Sequence, residues 1–237
     1  MHLSIVIPAF NEAKKIQSDL NEAFRYLEAG LGGEILVVDD GSSDETFVVA
    51  RAASERLKSR KVKFRILGYP RNRGKGYAIR HGIHRAKGEY IAFVDSGLCV
   101  PYEMLSDGLD KIKAGFDFAI GSRRVSGATI EKPNVFYRRL GSLVFNKVVR
   151  VGLGVSLSDT QCGFKIYRAD VARDIFSRVH TDGFMFDLEA LMIAQRLNYR
   201  GTEFAVHWQA DSDSRYRPFW GTMRNLTEIA RIRLRHG

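Results

Sequence analysis

The sequence predicts an α/β domain, a mostly parallel Rossmann-like sheet flanked by helices. Three observations carry this expectation. Short apolar segments alternate with helix-patterned stretches of roughly 10–15 residues across the first half of the chain, the signature of βαβ units. The apolar segments end in polar or glycine-rich turns, the arrangement that gathers ligand-binding groups along one edge of such a sheet. The third is bulk: 237 residues, 45% hydrophobic and 27% charged, suit one large domain with a substantial core.

The elements follow in order. Leu3–Pro8 reads as a buried strand and Asn11–Leu27 as an amphipathic helix. Next come a strand at Glu34–Val38, a helix at about 45–57 and a short strand at Lys63–Leu67. Arg73–Ala86 is helical behind a glycine-rich entry, and Tyr90–Val94 is another apolar strand. A helix around 103–113 and a strand at Phe116–Ile120 complete the regular part. Residues 1–122 form the expected nucleotide-binding half; from 123 the alternation weakens and basic amphipathic segments appear. No spacer marks the change, so one domain over 1–218 is expected, followed by a basic helix over 219–237.

A net charge of +10 and a pI near 9.7 call for an acidic partner: nucleic acid, an anionic membrane face or a phosphorylated small molecule. Cys99 and Cys162 have no metal-ligand spacing and read as free thiols in a reducing compartment. The chain opens almost at once on a strand, so no signal peptide is expected, and no apolar window reaches the length of a membrane span. Reading helices and stacking sheets with interleaved aromatics are missing, so no nucleic acid is expected.

The richest segment is Ile35-Leu36-Val37-Val38-Asp39-Asp40-Gly41-Ser42-Ser43-Asp44, a buried strand running into paired carboxylates. Carboxylates at a strand's carboxyl end suit hydroxyls, ring N–H groups or a metal, which points to a nucleoside rather than a bare phosphate. Asn11 and Asp44 also suit helix N-caps, and Gly74 and Gly76 simple turns. Asp95, just past the uncharged run Tyr90–Val94, costs desolvation unless something pairs with it.

Together these segments resemble the inverting glycosyltransferases of family 2, which have the GT-A fold, and in particular their polyprenyl-phosphate branch. The matching stretches are Ile7–Glu12, Val37–Asp44, Asn72–Gly76, Gly121–Arg123, Asp159–Lys165 and Phe186–Glu189, in order. Asp159–Lys165, Phe219-Trp220 and Ile232–Arg235 look most like the dolichyl-phosphate glucosyltransferases, with the mannose synthases next. The resemblance implies a nucleoside pocket lined by Pro8, Asn11 and Glu12, with Asp40 on the base or ribose and Asp39 shaping the pocket. Lys75 would approach the base or phosphates. Asp95 would hold a divalent Mg²⁺ or Mn²⁺ and the donor's diphosphate. Arg123 and one of Arg138 and Arg139 would bind the acceptor phosphate. Ser214-Arg215 resembles a pair that closes over the diphosphate, in a stretch patterned like a lid.

One departure matters. The family's Asp-x-Asp is here Asp95-Ser96-Gly97, and Cys99 is a poor ligand for hard Mg²⁺. A weakened metal site is therefore expected, with basic residues standing in for the metal as the alternative. Asp159 is a candidate base in the family. A phosphate monoester with a second pKa of about 6 needs little deprotonation, so Asp159 is expected to orient the acceptor more than to take a proton.

Two segments read as interfacial helices. Residues 136–151 place Phe136, Leu140, Leu143, Val144, Val148 and Val151 on one face. Near the end, Phe219, Met223, Leu226, Ala230 and Leu234 recur at spacings of four and three, opposite Arg224, Glu228, Arg231 and Arg235. Such helices suit an anionic membrane surface. The expected protein is thus a peripheral enzyme on the cytoplasmic membrane face. It would move a hexose from a nucleotide sugar, UDP-glucose ahead of GDP-mannose, to a polyprenyl phosphate. Transfer to a sugar hydroxyl, or nucleotide-sugar binding without catalysis, stand as alternatives. A membrane subunit and a homo-oligomer both stay open.

Overall fold

The computed structural model describes residues 2–30, 32–131, 157–209 and 218–236, with side chains in the last segment from 227 onward. Arg138, Arg139, Ser214, Arg215 and the segment 136–151 lie outside the described residues, as do the side chains of Phe219, Trp220, Met223, Arg224 and Leu226.

The first half runs β1 (Leu3–Ala9), α1 (Ile16–Ala29), β2 (Gly33–Asp39), α2 (Thr46–Arg56), β3 (Val62–Gly68), α3 (Lys75–Arg85) and β4 (Tyr90–Val94). A 3-10 turn at Tyr102–Met104 leads into α4 (Leu105–Lys113) and β5 (Phe118–Ser122). Then follow β6 (Thr129–Glu131), β7 (Phe164–Arg168), α5 (Ala169–Arg178), α6 (Phe186–Arg196), β8 (Gly201–Ala205), β9 (His207–Gln209) and α7 (Pro218–His236). The main sheet has seven strands in the order β3-β2-β1-β4-β7-β5-β8, and β6 pairs β9 in a separate ribbon. Strand β7 is antiparallel to both its neighbours; the other pairings in the main sheet are parallel. Because β7 runs backwards, the segment before it, 159–163, reaches the edge where β1, β2, β4 and β5 end. The expected mostly parallel sheet is therefore present, and strands from both halves of the chain share it.

Side-chain alternation explains the two cores. Val6, Leu36, Val38, Ile91, Phe93, Ile120 and Tyr167 face one side, where α3, α5 and α6 pack. Ile5, Ile7, Ile35, Val37, Ala92, Val94 and Ile166 face α1 and α4 on the other. At about 1.5–3 kcal/mol for each large apolar side chain fully buried, these layers dominate the folding energy.

Two helix starts differ from expectation. Helix α1 begins at Ile16 rather than Asn11, because Asn11 adopts φ +55° and the Glu12 carbonyl takes the first N–H bonds, from Lys15 and Ile16 at 2.9 Å each. Helix α3 begins at Lys75, after Gly74 at φ +109°. At that glycine a Cβ would collide with the Asp182 carbonyl. At the chain's end, Ile232 is buried, Glu228 accepts from the Met185 N–H at 3.2 Å, and Arg235 reaches Glu189 at 3.2 Å. The charged face of α7 thus holds the helix to the domain, while Ala230 and Leu234 of the apolar stripe stay exposed.

Candidate active site

The turn after β1 and the turn after β2 are built as one unit. Asn11 does not cap α1. Its Oδ1 accepts from the Ser43 N–H at 2.7 Å, and its own N–H donates to Ser42 Oγ at 2.8 Å. Glu12 N–H donates to Thr46 Oγ1 at 2.7 Å. Asp44 stands one residue before the cap position of α2, Glu45, rather than at it, but its bonds are structural: Oδ1 accepts from Thr46 N–H at 3.0 Å and Oδ2 from Ala13 N–H at 3.2 Å. Pro8 and Ala9 pair Val38 and Asp39 in register.

The paired carboxylates divide the work. Asp39 turns back to Ser42, accepting from its hydroxyl and its N–H. Burial pushes the Asp39 pKa up, and the Ser42 bonds oppose that rise. Asp40 reaches forward and organises the next loop. Its Oδ1 accepts from Tyr69 Oη and Arg73 N–H, both at 2.8 Å, and its Oδ2 from Asn72 Nδ2 and Gly74 N–H, both at 2.9 Å. Asp40 is therefore the residue that shapes the loop leading to Lys75, a contribution strand position alone does not reveal.

Lys75, at the start of α3, meets Asp95, at the end of β4. Its Nζ donates to Oδ2 at 2.8 Å and lies 2.7 Å from Oδ1, an ion-pair distance without hydrogen-bond alignment. Burial alone would lower the Lys75 pKa; Asp95 and Asp187 outweigh it and hold the ammonium above its ordinary value. Behind Lys75 stands a buried pair, Lys165–Asp187, with Lys165 Nζ also donating to the Thr160 carbonyl at 2.7 Å. Burial drives the Asp187 pKa up, and Lys165 and Lys75 pull it down. Asp95 N–H donates to the Gly163 carbonyl at 2.8 Å, and a Cβ on Gly163 would fall inside the Asp95 carboxylate. Only glycine permits that approach.

The third group is Arg123 with Asp159. Arg123 Nε and Nη2 donate to the two carboxylate oxygens at 2.7 and 2.8 Å, and the Arg123 N–H adds a third bond at 3.0 Å. Asp159 is 1% exposed. Burial would raise its pKa, but the Arg123 bonds win and hold the carboxyl below its usual range. Glu203 on β8 fixes the segment from behind, accepting from Ser158 N–H at 2.9 Å and Asp159 N–H at 3.1 Å. Cys162, between the two groups, is buried with its pKa pushed up to about 12, first by burial and then by Asp159, so it stays a neutral thiol.

Tyr69, Asp187, Lys165 and Glu203 support the site without having been singled out for roles in it. So does Asp19 on α1, whose carboxylate bonds the Gly97 and Leu98 N–H groups. Its signal in the sequence is a charge among Ile16, Leu20, Ala23 and Leu27 on the buried face of the helix.

The family model "Glycosyl transferase family 2" matches residues 4–176. The human dolichyl-phosphate beta-glucosyltransferase is 34% identical over 99% of this chain and 75% of its own length. The enzyme of that name from Dictyostelium discoideum is 31% identical over 100% and 75%. Among solved structures, glucosyl-3-phosphoglycerate synthase from Mycobacterium tuberculosis, in complex with Mg²⁺ and UDP, superposes with a TM-score of 0.72. It is 20% identical, over 99% of this chain and 79% of that one, and shows the shared GT-A fold. Matched along most of its length, the chain belongs to glycosyl transferase family 2 and is a glycosyltransferase.

Proposed function

We propose that this protein transfers glucose from UDP-glucose to a polyprenyl phosphate of dolichyl type, by in-line displacement with inversion at the anomeric carbon. The observation that carries the reading is the placement of two cations on the flanks of one segment. Arg123 grips Asp159 at its start, and Lys75 grips Asp95, which is bonded to Gly163 at its end. One cation serves a leaving diphosphate and the other an incoming phosphate. The relatives named dolichyl-phosphate beta-glucosyltransferase give the acceptor and the sugar.

In this reading the nucleoside lies over the turns carrying Pro8, Asn11, Glu12, Asp39 and Asp40, and its diphosphate reaches Lys75. The ammonium stabilises charge that develops on the leaving group. Asp159 occupies Nε and Nη2 of Arg123, leaving Nη1 as the arm for the acceptor. A phosphate monoester, mostly dianionic at neutral pH with a second pKa of about 6, attacks without a base. An Asp159 held ionised by Arg123 is suited to orienting that arginine.

A divalent cation fits only weakly. Asp95 Oδ1 is buried with no aligned hydrogen bond, but the Lys75 ammonium lies 2.7 Å from it, so an ion bound there would have to displace that contact. Among the described residues no three acidic, His or Cys side chains converge. Asp95 would hold such an ion, with diphosphate and water as its other ligands, and the ion would neutralise charge on the leaving group.

No described helix is long and apolar enough to cross a membrane. The exposed Leu234, with Arg231 and Arg233 exposed beside it, supports a membrane-surface location where a lipid acceptor is presented. The test is an acceptor panel: polyprenyl phosphate, the unphosphorylated polyprenol and a free sugar, each with UDP-glucose. Transfer to the phosphate alone supports the reading. Transfer to the sugar overturns it in favour of a hydroxyl acceptor, and UDP binding without transfer, in line with the missing carboxylate at Gly97, in favour of a binding protein.

A further inference from the structure

The turn 95–99 follows β4 directly and carries Asp95, so its shape sets where that carboxylate stands. Its backbone is unusual. Gly97 has φ +101° and Leu98 φ +52°, two successive residues in a region that L side chains rarely adopt. A leucine there is strained and persists only where the surroundings over-determine it. What determines it lies beneath. Asp19, fully buried on the first turn of α1, takes the Gly97 N–H on both its oxygens, at 3.0 and 2.9 Å, and the Leu98 N–H at 3.1 Å. Farther along, the Cys99 carbonyl accepts from the Gln209 N–H at 2.8 Å, tying the turn to β9.

We propose that Asp19 is a positioning residue for the donor site, a buried carboxylate that clamps the Gly97–Leu98 turn and thereby holds Asp95 against Lys75 and Gly163. The inference deepens the donor reading above and rests on it. Where a carboxylate at position 97 would face the ligand, this chain supplies one from α1 to the backbone of the same residue. The φ of Gly97 also means that Gly97→Asp would place a side chain on a strained backbone, so the variant would not simply restore a ligand.

The charge state of Asp19 makes the clamp testable without altering the turn. Burial lifts its pKa to about 7 and the bonds from Gly97 and Leu98 oppose that rise; Glu12 adds to it and Lys15 on α1 opposes it. On the 3-10 turn, the buried Tyr102 hydroxyl has its pKa pushed well above the ordinary value, first by burial and then by the charges of Asp19, Glu22 and Asp95. An ionised Asp19 accepts both N–H groups as a charge-assisted clamp; a protonated one is a weaker acceptor.

The experiment compares wild type, Asp19→Asn and Asp19→Ala on the full chain. Three quantities are read: thermal melting, amide exchange of residues 97–98 by mass spectrometry, and affinity from pH 6 to 8 for UDP-glucose, whose diphosphate has no proton to lose in that window. Wild type is expected to bind UDP-glucose more tightly as pH rises through about 7. Asp19→Asn, which keeps an acceptor oxygen, should fold and bind but lose that inflection. Asp19→Ala should melt cooperatively, exchange the two amides at least tenfold faster and bind UDP-glucose at least tenfold more weakly. Unchanged exchange in Asp19→Ala overturns the clamp. Faster exchange with unchanged UDP-glucose affinity overturns the positioning role, as does an inflection that survives in Asp19→Asn. If Asp19→Ala does not fold, the Asp19→Asn pH profile decides alone. A wild type that binds no uridine nucleotide overturns the donor reading, and with it the positioning role. The exchange arm still reports separately on the clamp.

Discussion

Arg123 holds Asp159 by both arms of a guanidinium fork, at 2.7 and 2.8 Å, with the carboxylate almost wholly buried. A carboxylate so paired is a poor proton acceptor at neutral pH. Asp159→Asn is therefore expected to keep measurable transfer to polyprenyl phosphate, with a raised KM for that lipid as Arg123 loses its anchor. Steady-state kinetics check this, and complete loss would instead mark Asp159 as a base. Its folded pKa is depressed, so its stabilising contribution is present above the ordinary value near 3.8 and lost as pH falls through the lower folded value. Acid unfolding of the variant should lack that component.

Lys75 is the cation on Asp95. Removing one preorganised donor from a developing charge costs about 10²–10³ in rate, so Lys75→Met should lower kcat by roughly 10²-fold or more. Circular dichroism and melting should show the fold retained.

Gly163 faces the Asp95 carboxylate with no room for a Cβ. Gly163→Ala must displace Asp95, and UDP-glucose turnover should fall at least as far as in Lys75→Met while α6 and the sheet stay intact. Normal turnover would show that Asp95 is free to move without consequence.

Asp19 gives the clearest pH signature in stability. Its folded pKa, about 7 against 3.8 unfolded, means that the folded state binds the extra proton. Stability from this group is fully present below about 3.8 and is lost as pH rises to about 7, by up to ~4 kcal/mol. Asp19→Asn should therefore melt higher than wild type at pH 8 and show a flatter profile between pH 4 and 7.

Leu234 is 88% exposed on the outward face of α7, while Glu228 and Arg235 face the domain. Leu234→Glu combined with Arg231→Glu should reduce flotation with anionic liposomes and leave UDP binding unchanged. A variant that floats as before would place membrane contact elsewhere.

The strands and their polar ends were legible because apolar runs and turn residues are local signals. Asp39, Asp40, Lys75 and Asp95 stand at the sheet edge, after the strands whose polar ends placed them there. What these side chains touch was not legible. The bonds of Asp40 to Tyr69 and Asn72, and of Asp19 to Gly97, join residues 29 to 78 positions apart through the fold. The start of α1 was misplaced for a similar reason: Asn11 is held at positive φ by a loop from the next strand, a tertiary effect that helix periodicity does not contain. The reversed strand β7 carries Asp159–Gly163 to the site, and no local pattern announced its direction.

Transfer is read by incubating the protein with radiolabelled UDP-glucose and a polyprenyl phosphate, with and without Mg²⁺, and counting label in the organic phase. Lipid-linked glucose is expected, lost in Lys75→Met, with far less label from GDP-mannose. Label that stays in the aqueous phase with every donor would contradict the proposed transfer.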